Sequence, residues 1–108
     1  MLERICFAFL ATVVAALPAQ AVESYTLTLK NHRFIPADLE VPAGQKLKLV
    51  VKNEDPTPEE FESKSLKREK TVAGNSQITL TIGPLDPGSY GFYGEFHEES
   101  AQGRVIAK

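Results

Sequence analysis

A histidine surrounded by glutamates is the feature of this sequence best suited to chemistry. His97 is flanked by Glu95, Glu98 and Glu99. An imidazole together with carboxylates suits ferrous or ferric iron, Cu(II), Mn or Zn better than Cu(I), which prefers sulfur ligands. The same pattern also fits a solvated acidic turn. It therefore predicts a transition-metal site only if the fold brings further ligands to His97.

The N-terminal segment has the pattern of a secretory signal. A short charged start precedes an apolar run at residues 5–17, and Ala19-Gln20-Ala21 supplies the small-x-small pattern of a cleavage site. An uncleaved membrane anchor is the alternative, but the run is shorter than the roughly 20 apolar residues that an anchor needs. We therefore expect a cleaved signal peptide at residues 1–21, one domain at residues 22–108, and export to a bacterial periplasm.

Cleavage would leave the domain without sulfur ligands. The single Cys and the single Met of the chain are Cys6 and Met1. No disulfide could then cross-link the domain, so its stability must come from a packed core. The formal net charge of −2 gives no basic field for nucleic acid or for an anionic membrane. We expect no nucleic-acid partner and no membrane insertion after cleavage.

Short apolar segments separated by Pro, Gly, Asn and Asp predict an all-β domain. Only residues 59–68 could hold a helical turn. About seven short strands in a domain of this size predict a Greek-key β-sandwich. We expect strands at residues 25–29, 39–41, 46–53, 66–72, 77–82, 90–95 and 104–107.

Several of these segments together resemble the cupredoxins. Phe34-Ile35-Pro36 followed by residues 39–44 resembles the Phe-x-Pro and Val-Pro-Ala-Gly blocks of bacterial cupredoxins. Residues 47–53 resemble their next strand, which ends at an Asn, and residues 86–93 resemble the Pro-Gly-x-Tyr-x-Phe approach to the metal loop. The blocks occur in order over most of residues 22–108, so the resemblance implies a cupredoxin-like β-sandwich.

Two further blocks make the resemblance narrower. Residues 59–63, Glu-Glu-Phe-Glu-Ser, and residues 94–98, Gly-Glu-Phe-His-Glu, resemble the small cupredoxin-like partner in bacterial ferrous-iron uptake systems. The resemblance implies a periplasmic protein that handles iron or copper beside a membrane iron permease and a periplasmic metal-binding protein.

The resemblance also implies a changed metal site. The cupredoxin strand ends on a Cys and a Met usually closes the loop, but Gly94 stands at the Cys position and Ala101 or Gln102 at the Met position. A blue type 1 copper centre requires a thiolate, so that site is excluded. Glu59 falls where cupredoxins have their first His ligand. Its strand parity, shared with Phe61, turns Glu60 and Glu62 the other way.

The expected metal ligands are one imidazole and nearby carboxylates. His32, within Asn31-His32-Arg33, is assigned to a surface turn. The expected metal is an iron or copper ion. The candidate ligands are His97, Glu59, Glu95, Glu62 and Glu98.

The sequence thus predicts a metal-binding accessory protein of iron or copper uptake. Oxidation of Fe(II), electron relay and simple transfer of metal stay open. The alternative is a degenerate cupredoxin that binds no metal and acts as a protein-interaction module. No Ser/His/Asp or Cys/His arrangement and no phosphate-binding glycine loop is found. The basic residues between 64 and 70 suit a solvated edge strand.

Overall fold

Nine strands form two sheets that pack face to face in a computed structural model that describes residues 22–108. The predicted signal peptide, residues 1–21, lies outside the described residues. The strands are Ser24–Lys30 (β1), Arg33–Ile35 (β2), Asp38–Val41 (β3), Leu47–Asn53 (β4), Glu59–Ser63 (β5), Arg68–Val72 (β6), Ser76–Ile82 (β7), Gly88–Gly94 (β8) and Gln102–Ala107 (β9).

The first sheet has the strand order β2-β1-β4-β7 and the second has the order β3-β9-β8-β5-β6. Strand β1 pairs in parallel with β4, and β3 pairs in parallel with β9. The chain crosses from one sheet to the other between the two strands of each parallel pair. The remaining pairs are antiparallel. This arrangement confirms the predicted all-β, cupredoxin-like sandwich.

Alternating side chains build the core between the sheets. Strand β4 buries every second residue, and β5 follows the same rule with Glu59, Phe61 and Ser63 inward. Three phenylalanines meet at the centre. The ring centroids of Phe34 and Phe92 are 4.9 Å apart, and those of Phe61 and Phe92 are 5.4 Å apart. This aromatic cluster lies directly below the candidate site.

The predicted count of about seven strands was too low. Strand β2 has only three residues, which is too short for alternation to be visible in the sequence. Residues 59–68 were the only segment thought able to hold a helical turn, but their first half is strand β5 and residues 64–67 form a turn. Pairing with β6 and β8 outweighs the weak strand propensity of a glutamate-rich segment.

The last long strand also ends one residue earlier than expected. Strand β8 stops at Gly94, and Glu95–His97 form a single 3₁₀ turn.

Among residues 22–108 there is no helix long and apolar enough to cross a membrane.

Candidate functional site

A short closed loop presents His97 at one end of the sandwich. The loop leaves β8 at Gly94 and returns at Ala101. The Gly94 amide donates to the Ala101 carbonyl at 2.8 Å, which closes its base. The Ala101 amide donates to the His97 carbonyl, also at 2.8 Å. These bonds fix the backbone of His97 although its side chain is 32% exposed.

Glu59 lies under this loop because of the strand register. Phe61 of β5 pairs with Gly94 of β8, so Glu59 lies just past the end of β8, where the 3₁₀ turn begins. Its carboxylate is held on both oxygens. Oε1 accepts hydrogen bonds from the amides of Phe96 (2.8 Å) and Glu60 (3.0 Å), and Oε2 lies 2.6 Å from His97 Nδ1. Glu59 is only 1% exposed, so it is a buried carboxylate with a complete set of partners.

Gly94 makes the position of that carboxylate possible. A Cβ atom at residue 94 would lie 2.6 Å from Cδ of Glu59 and 2.9 Å from Cβ of Ala101. Such contacts are too short for any side chain. The resemblance placed a Cys at residue 94 in cupredoxins, and here the Glu59 carboxylate packs against the space that a side chain would need.

The second imidazole of the site comes from the β1–β2 hairpin. Asn31 and His32 form its two-residue turn, with φ of 51° and 57°, as a type I′ turn requires. The His32 ring stacks on the His97 ring, with centroids 3.5 Å apart and planes within 12°. Sequence reasoning assigned His32 to a surface turn. It does lie in a turn, but that turn brings its ring onto His97.

A buried acid holds this hairpin in place. Asp55 accepts the amide of Asn31 at 2.7 Å and the amide of His32 at 2.9 Å. Asn53 in turn accepts the Asp55 amide at 3.0 Å. The Asn53 side-chain nitrogen donates to the carbonyl of Thr57 at 2.8 Å. The His32 backbone is therefore tied to the end of β4 by side chains that are almost fully buried.

The three side chains form a group with the composition of a metal site. One ligand atom from each of His32, Glu59 and His97 lies within 4.8 Å of the other two. Two imidazoles and a carboxylate suit iron, Cu(II) or Zn. The structure thus brings together two of the predicted residues, His97 and Glu59, and adds His32. The sequence signal for His32 was its chemistry alone, since nothing local relates residue 32 to residue 97.

Two other predicted residues lie in a separate acidic group. Glu62 and Glu95 lie with Glu60 and Glu69 on the outer side of β5 and β6. The carboxyl groups of Glu69, first, and of Glu95 raise the pKa of Glu60 to about 7, because they can hydrogen-bond to Glu60 only when one of the partners is protonated. Partial desolvation, together with Glu95, raises the pKa of Glu62. Oε1 of Glu60 is buried without a hydrogen-bond partner in the described chain. A proton shared among these carboxyl groups would supply the missing donor.

Glu98, the last predicted ligand, belongs to neither group among the described residues. It is exposed, and its carbonyl accepts the Gln102 side chain at 2.6 Å. Phe96, beside His97, is 51% exposed. The end of the sandwich therefore combines a buried carboxylate–imidazole pair with a half-exposed aromatic ring.

A search of known proteins finds one clear relative by sequence. An uncharacterized protein of Rickettsia prowazekii (strain Madrid E) is 45% identical over 80 residues, which are 74% of this chain and 64% of that protein. The chain thus spans somewhat less than two thirds of that relative's length.

Solved structures share the architecture at low sequence identity. Auracyanin A, a "blue" copper protein from the photosynthetic bacterium Chloroflexus aurantiacus, matches with a TM-score of 0.67 and 14% identity, over 79% of this chain and 98% of its own. The metal-binding domain of the Cu(I)-exporting P-type ATPase CopA of Streptococcus pneumoniae D39 matches with a TM-score of 0.66 and 11% identity, over 81% of this chain and 94% of its own.

A family model matches nearly the whole sequence. It is described as a cupredoxin-like domain and covers residues 4–107. The two-sheet β-sandwich agrees with that description. The chain belongs to the cupredoxin-like domain family.

Proposed function

We propose that this protein is a periplasmic accessory of iron or copper uptake that binds a transition-metal ion through His97 and His32, with Glu59 holding the His97 ring. The observation that carries the proposal is the 2.6 Å contact between His97 Nδ1 and the buried Glu59 carboxylate, with the His32 ring stacked beside it. Carboxylate–imidazole pairs of this kind orient histidine ligands in metal sites and raise their basicity.

The proposed site is chemically distinct from blue copper. Residues 22–108 contain no Cys and no Met, so the site offers nitrogen and oxygen atoms only. Such ligands suit iron in either oxidation state and Cu(II) better than Cu(I). Binding followed by oxidation or by transfer of the metal is consistent with this set.

The role in uptake rests on the sequence resemblance. The blocks at residues 59–63 and 94–98 resemble the cupredoxin-like partner of a ferrous-iron permease. One residue of each block, Glu59 and His97, takes part in the contact on which the proposed site rests. The metal is then a cargo. It would be exchanged with a periplasmic metal-binding protein and with the membrane permease. The periplasmic location follows from the signal pattern of residues 1–21.

Metal titration of the purified protein tests the proposal. Calorimetry with Cu(II), and with Fe(II) under anaerobic conditions, should show one saturable site in the wild type. His97→Ala should abolish that site, whereas Glu98→Gln, an exposed change beside the same loop, should leave it intact. Saturable binding that is equal in wild type and His97→Ala would refute the proposed site. In cells that express the permease, iron uptake should fall with His97→Ala.

A protein-interaction role without metal is the second candidate. Phe96 is 51% exposed at the end of the sandwich, although large apolar side chains are usually buried. If neither metal binds, this ring and the glutamates around it become the surface to map. Binding of a partner that is lost with Phe96→Ser but kept with His97→Ala would support this candidate.

A further inference from the structure

The two imidazoles of the candidate site cannot share a metal ion as they stand. Their rings are nearly parallel, with planes within 12° and centroids 3.5 Å apart. The lone pair of a ring nitrogen lies in the plane of its ring, so parallel rings direct their lone pairs along lines that do not meet. A shared ion would have to lie about 2.0–2.1 Å from both nitrogens. The stack must therefore open before both histidines can coordinate one ion.

His97 is the more firmly held of the two side chains. Its Nδ1 contacts the buried Glu59 carboxylate at 2.6 Å. Glu59 is itself fixed by two backbone amides, those of Glu60 and Phe96. When Nδ1–H donates to Glu59, Nε2 is left without a proton and can accept a metal. Moving the His97 ring would break this short contact and leave a buried carboxylate without one of its partners.

The His32 ring is held much less tightly than its backbone. Its side chain is 40% exposed, and Nδ1 lies 3.5 Å from Asp55 Oδ2, beyond ordinary hydrogen-bond lengths. The amides of Asn31 and His32 lie 2.7 and 2.9 Å from the same carboxylate. The His32 ring can therefore turn about its own side-chain bonds while the hairpin stays in place.

We propose that His32 is the moving ligand: metal capture unstacks its ring from His97, and Asp55 is the positioning residue that keeps His32 within reach of the ion. The inference rests on the proposed function, because it assumes a metal at His97. Asp55 is suited to this role because it is only 6% exposed and is held by Asn53 at the end of β4. It acts through the hairpin and does not contact the metal.

The unstacking is tested by NMR on the unchanged protein, with Zn(II) as a diamagnetic probe. The chain has only two histidines, so their ring protons can be assigned without ambiguity. Without metal, a nuclear Overhauser effect should connect the two rings. At Zn(II) saturation one nitrogen of each ring should show the ¹⁵N shift of a metal-bound imidazole, which the stacked arrangement does not allow for both rings.

The other possible outcomes distinguish a failure of the inference about His32 from a failure of the proposed metal-binding function. If Zn(II) shifts a His97 ring nitrogen but both His32 nitrogens keep their metal-free ¹⁵N shifts, His32 is not the moving ligand and only this inference falls. If Zn(II) leaves His97 unchanged, the proposed function fails and the inference fails with it.

The role of Asp55 is tested by a double-mutant cycle on Zn(II) affinity. Asp55→Asn keeps the shape of the side chain but leaves one carbonyl-type oxygen for two amides. It should weaken binding roughly 10-fold, as changes to residues that orient ligands do. In a His32→Ala background the same change should have almost no effect, because there is no ring left to position. Asp38→Asn, which alters an exposed acid paired with Arg104, is the matched control. An equal loss in both backgrounds would show that Asp55 has only a general structural role.

Discussion

Replacing Glu59 by Gln is the change that most sharply separates the orientation of His97 from the stability of the fold. The carboxylate has three close contacts, to the amides of Phe96 and Glu60 through Oε1 and to His97 Nδ1 through Oε2. A glutamine can keep its amide oxygen on the two backbone donors. Its NH₂ group must then face His97, since turning the amide over would set a donor against two donors.

This arrangement reverses the hydrogen bond to His97. The glutamine NH₂ donates to Nδ1, so the neutral imidazole must carry its proton on Nε2, the atom that would otherwise bind metal. Loss of a group that orients a metal-binding histidine typically lowers affinity 10- to 100-fold, or about 1.4–2.7 kcal/mol. The free energy of unfolding should change by only about 1 kcal/mol. Weaker hydrogen bonds to a neutral side chain are offset because a neutral amide is easier to bury than a charge.

The assay is Zn(II) affinity by calorimetry together with the histidine tautomer by ¹⁵N NMR. Glu59→Gln should bind at least 10-fold more weakly and show the Nε2–H tautomer at His97, with a near-native melting temperature. Glu98→Gln removes the same charge from an exposed position and should bind like wild type. Wild-type affinity in Glu59→Gln, or an unchanged tautomer, would show that Glu59 does not control His97.

Three further changes test other parts of the structure. Gly94→Ala should displace the Glu59 carboxylate, because the new Cβ would lie 2.6 Å from its Cδ, and so weaken Zn(II) binding about 10-fold or more; Gly91→Ala, where no atom lies within 4 Å, should have no such effect. Glu60→Gln should flatten the pH dependence of stability. The folded-state pKa of Glu60, about 7, lies above its ordinary value of 4.5. The contribution of Glu60 to the free energy of unfolding is therefore complete below about pH 4.5 and is lost as the pH rises through 7. Between pH 5 and pH 8 the melting temperature of the variant should therefore rise relative to that of wild type. A difference in melting temperature that stays constant with pH would contradict the raised pKa of Glu60. Asn53→Ala should lower the free energy of unfolding by roughly 3 kcal/mol in chemical denaturation, because it leaves several buried backbone groups without partners; a loss below about 1 kcal/mol would refute this.

The sequence predicted the fold well where the pattern was long and regular. Strands β4 and β7 alternate over seven residues each, and their positions were predicted to within one residue. Strand β5 was not among the expected strands, although strand parity was used to orient Glu59 and Phe61. Glu-Glu-Phe-Glu-Ser has little intrinsic preference for a strand, and its pairing with β6 and β8 is a long-range effect.

The candidate site was only partly predictable for a related reason. The family resemblance, together with strand parity, named Glu59 and His97 as candidate ligands of one site, but their direct contact was found only in the structure. The contribution of His32 depends on the hairpin and on Asp55, which is 23 residues away in the chain. Neither the hydrophobic pattern of the sequence nor its composition indicates such a contact. Strand parity did turn Glu62 away from Glu59, in agreement with the separate acidic group, although Glu62 and Glu95 were kept as candidate ligands.

Electron paramagnetic resonance of the Cu(II)-loaded protein tests the central claim most directly. The measurement is made with Cys6→Ser, which removes the only thiol of the chain, and is repeated with His97→Ala in the same background. A site built on His97 predicts nitrogen hyperfine structure from imidazole, a large copper hyperfine splitting and no intense blue absorption, with all bound-copper signals lost in His97→Ala. Identical Cu(II) spectra from the two proteins would contradict the account.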